Sequence, residues 1–120
     1  EAKAAADWKA QQNRKMDAVR LERGIRKELK KPEGELTKAD LEKVTKLNLF
    51  AERLTDVKGL EKLTQLTSLS LNDNQLTDVK GLEKLTQLTR LYLYHNPDLT
   101  KAQITQLQKA LPKCRIRSDF

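Results

Sequence analysis

Fourteen residues occur twice without a change: LTDVKGLEKLTQLT fills positions 54–67 and again 76–89. The offset of 22 residues is too short for a domain, so the chain must be built by stacking copies of one small unit. Within the copies, apolar residues recur every third position, at Leu54, Val57, Leu60, Leu63, Leu66 and Leu69, then at Leu76, Val79, Leu82, Leu85, Leu88 and Leu91. That period matches neither an α-helix nor a strand. It fits short 3₁₀ turns, in which residues three apart eclipse. The steps Leu69–Leu71 and Leu91–Leu93 then switch to the two-residue period of a strand. Each unit supplies a short strand and a tight return, and it must share its core with its neighbours because one turn cannot bury its own leucines.

The stretch LTSLSLNDNQL at 66–76 resembles the LxxLxLxxNxL signature of leucine-rich repeats, and the 22-residue length with its DVKGLEKL return is similar to the bacterial, internalin-like class. Weaker copies open at Val44 and Leu88 and close at Leu111, giving starts separated by 22, 22 and 23 residues. The resemblance covers residues 36–120. It implies an α/β fold: a short right-handed leucine-rich-repeat solenoid with a parallel concave sheet of about four strands, 3₁₀ turns on the convex side and a helical cap at each end. It also implies a structural role for Asn74 and Asn96, whose side chains lie inside the turn and pair with backbone groups. Glu52 and Asp119 stand in the same slot of the terminal copies. A carboxylate there accepts but does not donate. Cys114 takes a leucine slot and reads as a small buried hydrophobe.

A stack exposes core and a strand edge at both ends, and both need covering. Residues 1–35 are expected to form a helical N-terminal cap, 36–98 the repeats, and 99–120 a capping helix with the last strand. The spacing predicts a helix over 2–31 with Ala18, Leu21, Ile25 and Leu29 on one stripe, stopped by Pro32 and Gly34. A short helix follows, capped by Thr37 with Asp40 three residues on, and a third by Thr100 with Gln103. Trp8 and Met16 fall off the stripe. Their segment, residues 1–15, reads either as a helix end packed on the flank of the stack or as a partner-binding, self-associating segment.

The chain's 120 residues carry 24 basic and 17 acidic side chains, a net charge of +7. The excess sits at the ends: +3 in residues 1–35, zero in 36–98 and +4 in 99–120. No apolar run is long enough to span a membrane. One Cys and one His provide neither a disulfide nor a Cys/His zinc cluster. The sequence implies no cofactor and no metal, and no nucleophile, base and orienter assemble from it. No catalysis is expected. Asp56 and Asp78 recur in register after Thr55 and Thr77, which points to turn hydrogen bonding. The chain begins at Glu1; a secreted or cell-envelope protein with its signal peptide removed and a cytoplasmic one both fit that start.

Function should lie where the copies differ. With Leu69 and Leu71 inward, Ser68, Ser70 and Asn72 point outward. Their equivalents are Lys46, Asn48 and Phe50 before them and Arg90, Tyr92 and Tyr94 after them, with Lys113, Arg115 and Arg117 expected on the last strand. Aromatic and arginine side chains dominate interface energetics. Phe50, Arg90, Tyr92, Tyr94, His95, Arg115 and Arg117 are therefore the candidate partner-binding residues, centred on Tyr92, Tyr94 and Arg115. His95, just past the strand exit, also fits an ordinary exposed loop residue. The implied partner is a protein, with a homodimer as one form. The same basic and aromatic residues allow an alternative, a face for nucleic acid or another polyanion. A purely structural, consensus-like scaffold is the third reading.

Overall fold

A computed structural model describes residues 2–120, with side chains from Gln11 onward. Trp8 lies outside the described side chains. In chain order the elements are helix α1 (Ala2–Leu29), helix α2 (Lys38–Glu42), strand β1 (Lys46–Asn48), a 3₁₀ turn at Leu60–Lys62, β2 (Ser68–Ser70), a second 3₁₀ turn at Lys80–Lys84, β3 (Arg90–Tyr92), α3 (Lys101–Ala110) and β4 (Arg115–Arg117). The four strands form one parallel sheet in sequential order. Leu47, Leu69 and Leu91 lie side by side in it, which is the 22-residue register that the repeat predicts.

The three-residue period has its cause in the packing. Every apolar position of both copies, from Leu54 to Leu91, is at most 3% exposed. One core cluster runs from Leu21 and Ile25 of α1 through the stacked leucines to Ile104, Leu107, Leu111 and Cys114. At roughly 1.5–3 kcal/mol per fully buried leucine, this stack is the main stabilising term. Burial also pushes the Cys114 thiol up to about 11, so it behaves as the small hydrophobe expected of it.

Two columns of hydrogen bonds join successive copies. Thr67 donates its N–H and Oγ1 to Thr45 O (2.7 and 3.0 Å), and Thr89 repeats this on Thr67 O (2.8 and 3.1 Å). Asn74 Oδ1 accepts from the amides of Glu52 (3.1 Å) and Leu54 (2.9 Å), while its Nδ2 donates to Leu49 O, Leu71 O and Asn72 O. Asn96 serves the next copy through Leu76 N–H and the carbonyls of Leu71, Leu93 and Tyr94. Both asparagines are buried, and a carboxylate could not make the donor half of these contacts.

Both predicted capping boxes are present, at Thr37 with Asp40 and at Thr100 with Gln103. Helix α1 ends at Leu29, two residues before the expected stop. Lys30 takes a left-handed conformation (φ 55°) and Lys31 N–H reaches back to Arg26 O at 3.0 Å, a pattern that satisfies the last carbonyls without needing the proline.

The caps also complete the repeat's own hydrogen bonding. Thr77 N–H and Oγ1 both point at Thr55 O, at 3.3 and 3.4 Å. No earlier copy exists to receive the same two groups of Thr55. Asp17 of α1 accepts them instead, Oδ1 from the amide (3.1 Å) and Oδ2 from the hydroxyl (2.6 Å). At the far side, Gln103 Nε2 donates to Thr77 O at 2.9 Å, where a following copy's threonine would otherwise sit. This corrects the expected stripe on α1: Asp17 is 6% exposed whereas Ala18 is exposed. The helix is turned so that an acid, not the alanine, meets the first copy.

The last strand differs in register. Ile116 pairs with Leu91, not with Leu93 as counting from Leu111 suggested. Cys114 precedes the strand, and Asp119 accepts from His95 N–H at 2.9 Å instead of filling the asparagine slot. Helix α3 replaces the 3₁₀ return, so the connection no longer has repeat length. A slip of two residues leaves every side chain on its expected face.

Candidate partner-binding face

Parallel pairing sorts the outward side chains into rows across the sheet. One row is Lys46, Ser68, Arg90 and Arg115, and the next is Asn48, Ser70, Tyr92 and Arg117. Just beyond the strands, Ala51 N–H still bonds Asn72 O and Asp73 N–H bonds Tyr94 O. That continuation sets Phe50, Asn72 and Tyr94 in a third row. Phe50 is 54% and Tyr94 36% exposed, Tyr92 is half-buried, and Arg90, Arg115 and Arg117 are exposed.

The rows divide the face into two unequal halves. On the β1 and β2 side the outward residues are small and neutral, apart from Lys46 and Phe50. On β3 and β4 they are Arg90, Tyr92, Tyr94, Arg115 and Arg117. The structure thus brings the β3 and β4 candidates together and leaves Phe50 two strands away from Tyr94. Lys113 is not among them: it lies in the turn before β4.

The strand exits hold this face in place. Ala51, Asp73 and His95 occupy one position of successive copies, and all three are left-handed, with φ of 55°, 59° and 59°. Asp and His tolerate this conformation better than most side chains. Asn72 Oδ1 accepts from Tyr94 N–H at 2.7 Å, which anchors the tyrosine backbone to the preceding copy. His95 Nδ1 lies 3.2 Å from Asp73 Oδ1, and its ring centroid is 6.3 Å from that of Tyr94 at a 50° tilt. His95 is exposed, and its ring forms the rim of the tyrosine patch. Sequence reasoning missed Asp73 as its partner. The 22-residue spacing between the two was the available signal.

Among the described residues no cluster of His, Cys, Asp and Glu could hold a metal ion, and no helix is long and apolar enough to cross a membrane. The larger grooves flank α1 and the convex turns rather than the sheet. The outward side chains of the sheet line neither of these grooves.

A family model for leucine-rich repeats in two copies matches residues 64–111. Among solved structures, the chain is similar to an internalin, InlF, from Listeria monocytogenes, with 34% identity and a TM-score of 0.70 over 82% of this chain and 28% of that one. It is also similar to internalin C2 of the same organism, with 30% identity and a TM-score of 0.69 over 81% of this chain and 42% of that one. The chain spans less than half the length of either. No curated protein matches it in sequence.

Proposed function

Because the chain belongs to the leucine-rich-repeat family, in the internalin-like class of 22-residue repeats, we propose that it is a non-catalytic interaction module whose concave face binds a protein partner. The observation that carries this reading is the placement of variation. Two copies are identical over 14 residues of frame, yet their outward strand residues change from Ser68, Ser70 and Asn72 to Arg90, Tyr92 and Tyr94. Packing does not require those aromatics, since the core is made by the inward leucines. Rigid aromatic and arginine anchors on a preformed surface are what a binding hot spot needs.

Four strands about 4.8 Å apart make a ribbon roughly 15 Å wide. A specific interface buries about 800 Å² per partner. The flank of α1 or a second copy of the chain would therefore extend the contact. Light scattering at two concentrations distinguishes these, since a self-pairing chain exceeds its 13.8 kDa monomer mass.

The test is retention of protein partners by the immobilised chain, by its Tyr92→Ser plus Tyr94→Ser variant, and by a convex control, Lys58→Glu plus Lys80→Glu. Loss on the tyrosine variant with full retention by the control supports the proposal. Equal retention by all three refutes it. The basic residues support a second reading, a polyanion face, which requires binding that falls steeply as salt rises. A tyrosine-centred interface is much less salt-sensitive.

A further inference from the structure

We infer that the arginines of β3 and β4 receive alternating acidic side chains from an extended segment of the partner. This rests on the concave-face reading above and names the chemistry of what binds there. Arg90 stands directly opposite Arg115 in the paired register, and Arg117 follows two residues on, opposite Tyr92 and facing the same way. Like charges directly opposite across strands repel. All three guanidinium groups are exposed, and among the described residues none has a carboxylate within 4.0 Å.

Three cations of the N-terminal cap are held by the fold. Lys31 binds Asp40 at 2.7 Å, Arg26 binds Glu22 and the carbonyls of Lys31 and Gly34, and Arg20 binds the carbonyl of Arg53. The three concave arginines serve no such purpose. Their mutual repulsion is a cost held in the free chain that an incoming anion removes.

The spacing specifies the anion. Arg115 and Arg117 lie about 6.6–6.8 Å apart along one strand. An extended segment running beside them presents every second side chain to the sheet at that same interval. A guanidinium also holds a carboxylate through two parallel hydrogen bonds. The matching sequence is acidic at alternate positions. A nucleic-acid backbone fits less well, because its affinity grows with the number of phosphates neutralised and this face offers only Arg90, Arg115 and Arg117, with Lys46 at the far end of the row. The β1–β2 half offers Lys46 beside the neutral Asn48, Ser68, Ser70 and Asn72, and the carboxylates of Asp73 and Asp119 border the strand exits beside His95.

The probe is a ten-residue peptide alternating glutamate and serine, titrated into the isotope-labelled chain and followed by NMR at about 20 and about 150 mM salt. The expected result is shifts confined to β3 and β4, with affinity about five-fold or more lower in Arg115→Gln plus Arg117→Gln. Lys58→Gln plus Lys80→Gln should bind unchanged. In the free state at low salt, Arg115→Gln alone should raise the melting temperature by about 1–2 °C, reporting relief of the repulsion. No peptide binding, equal binding by the arginine variant, or tighter binding of a ten-nucleotide oligo(dT) would each overturn the inference. Partner retention that is lost with the tyrosine variant but intact with the arginine variant would overturn it while leaving the concave-face reading standing.

Discussion

Residues 54–67 and 76–89 are the same peptide in two places, and they do not take the same shape. In the first copy Gly59 has φ 100° and the 3₁₀ turn covers only Leu60–Lys62. In the second, the turn starts earlier and runs from Lys80 to Lys84, taking in Gly81. The capping contacts differ as well. Asp56 Oδ1 accepts from the amides of Val57 and Lys58, and Glu61 Oε2 from Gly59 N–H. Asp78 accepts from Lys80 N–H.

The neighbours explain the difference. The first copy lies under α1, whose Leu21 comes within 2.9 Å of where a Cβ on Gly59 would be and whose Asp17 holds Thr55. The second lies between the first copy and α3, with Val57 beside Gly81 and Gln103 on Thr77. Local sequence sets the leucine frame that both copies share. The conformation of the convex turn is decided by what is stacked on it, a tertiary override of local preference.

The largest expected effect strikes what the two copies have in common. Asn74→Ala leaves the amides of Glu52 and Leu54 and the carbonyl of Leu49 without their partner, while Leu71 O keeps Asn96 Nδ2 and Asn72 O keeps the Ala51 amide. It should cost about 3 kcal/mol in denaturant unfolding. A change within about 0.5 kcal/mol would mean that the ladder is not structural.

The glycines break the symmetry next. Gly59→Ala must place a side chain at a φ that L residues rarely adopt and against Leu21, and should destabilise by about 1–3 kcal/mol. Gly81→Ala, with Val57 at 3.3 Å, should change stability by about 0.5 kcal/mol or less, because the gain from a stiffer unfolded chain offsets a small repacking. Equal effects at the two sites would deny the difference between the copies.

Asp17→Ala then removes the acceptor of Thr55 N–H and Oγ1, at about 1–2 kcal/mol. Asp78→Ala, in the exposed turn of the second copy, should stay near 0.5 kcal/mol. Hydrogen exchange at Thr55 and Thr77 would show whether only the first opens in the Asp17 variant.

The smallest effect is a pH dependence in the cap. The Lys31 ammonium, and after it the Thr37 amide, hold the Asp40 carboxyl down to about 2, below its usual 3.8. Its folded value is the lower one, so its contribution is present above pH 3.8 and is lost as pH falls through about 2. In acid titrations, Asp40→Asn should lose less stability than the parent chain between these values, with no difference in slope above them.

Much of the frame was legible because it follows from periodicity. The three-residue leucine spacing, the switch to two residues at Leu69–Leu71, and the boxes at Thr37 and Thr100 each have one physical reading. The register of β4 was not, because α3 changes the length of the return and a count from Leu111 assumes that it does not. Asp17 was hidden for a different reason. Helical periodicity weights apolar residues, and an acid becomes a core-facing group only when the end of a stack leaves Thr55 with two donors to satisfy. On the binding face, the alternation of strand residues located Arg90, Tyr92, Tyr94, Arg115 and Arg117. Its division into a neutral and a basic-aromatic half needed the pairing register.

If the copies share a leucine frame and the outward strand residues are what meets a partner, making those residues alike should remove binding without touching the fold. The chain carrying Arg90→Ser, Tyr92→Ser and Tyr94→Asn gives β3 the outward residues of β2. It should melt within about 2 °C of the parent and lose the protein partner that the parent retains. Retained binding by this folded variant would contradict the account. So would loss of the fold itself, because those side chains would then be part of the frame.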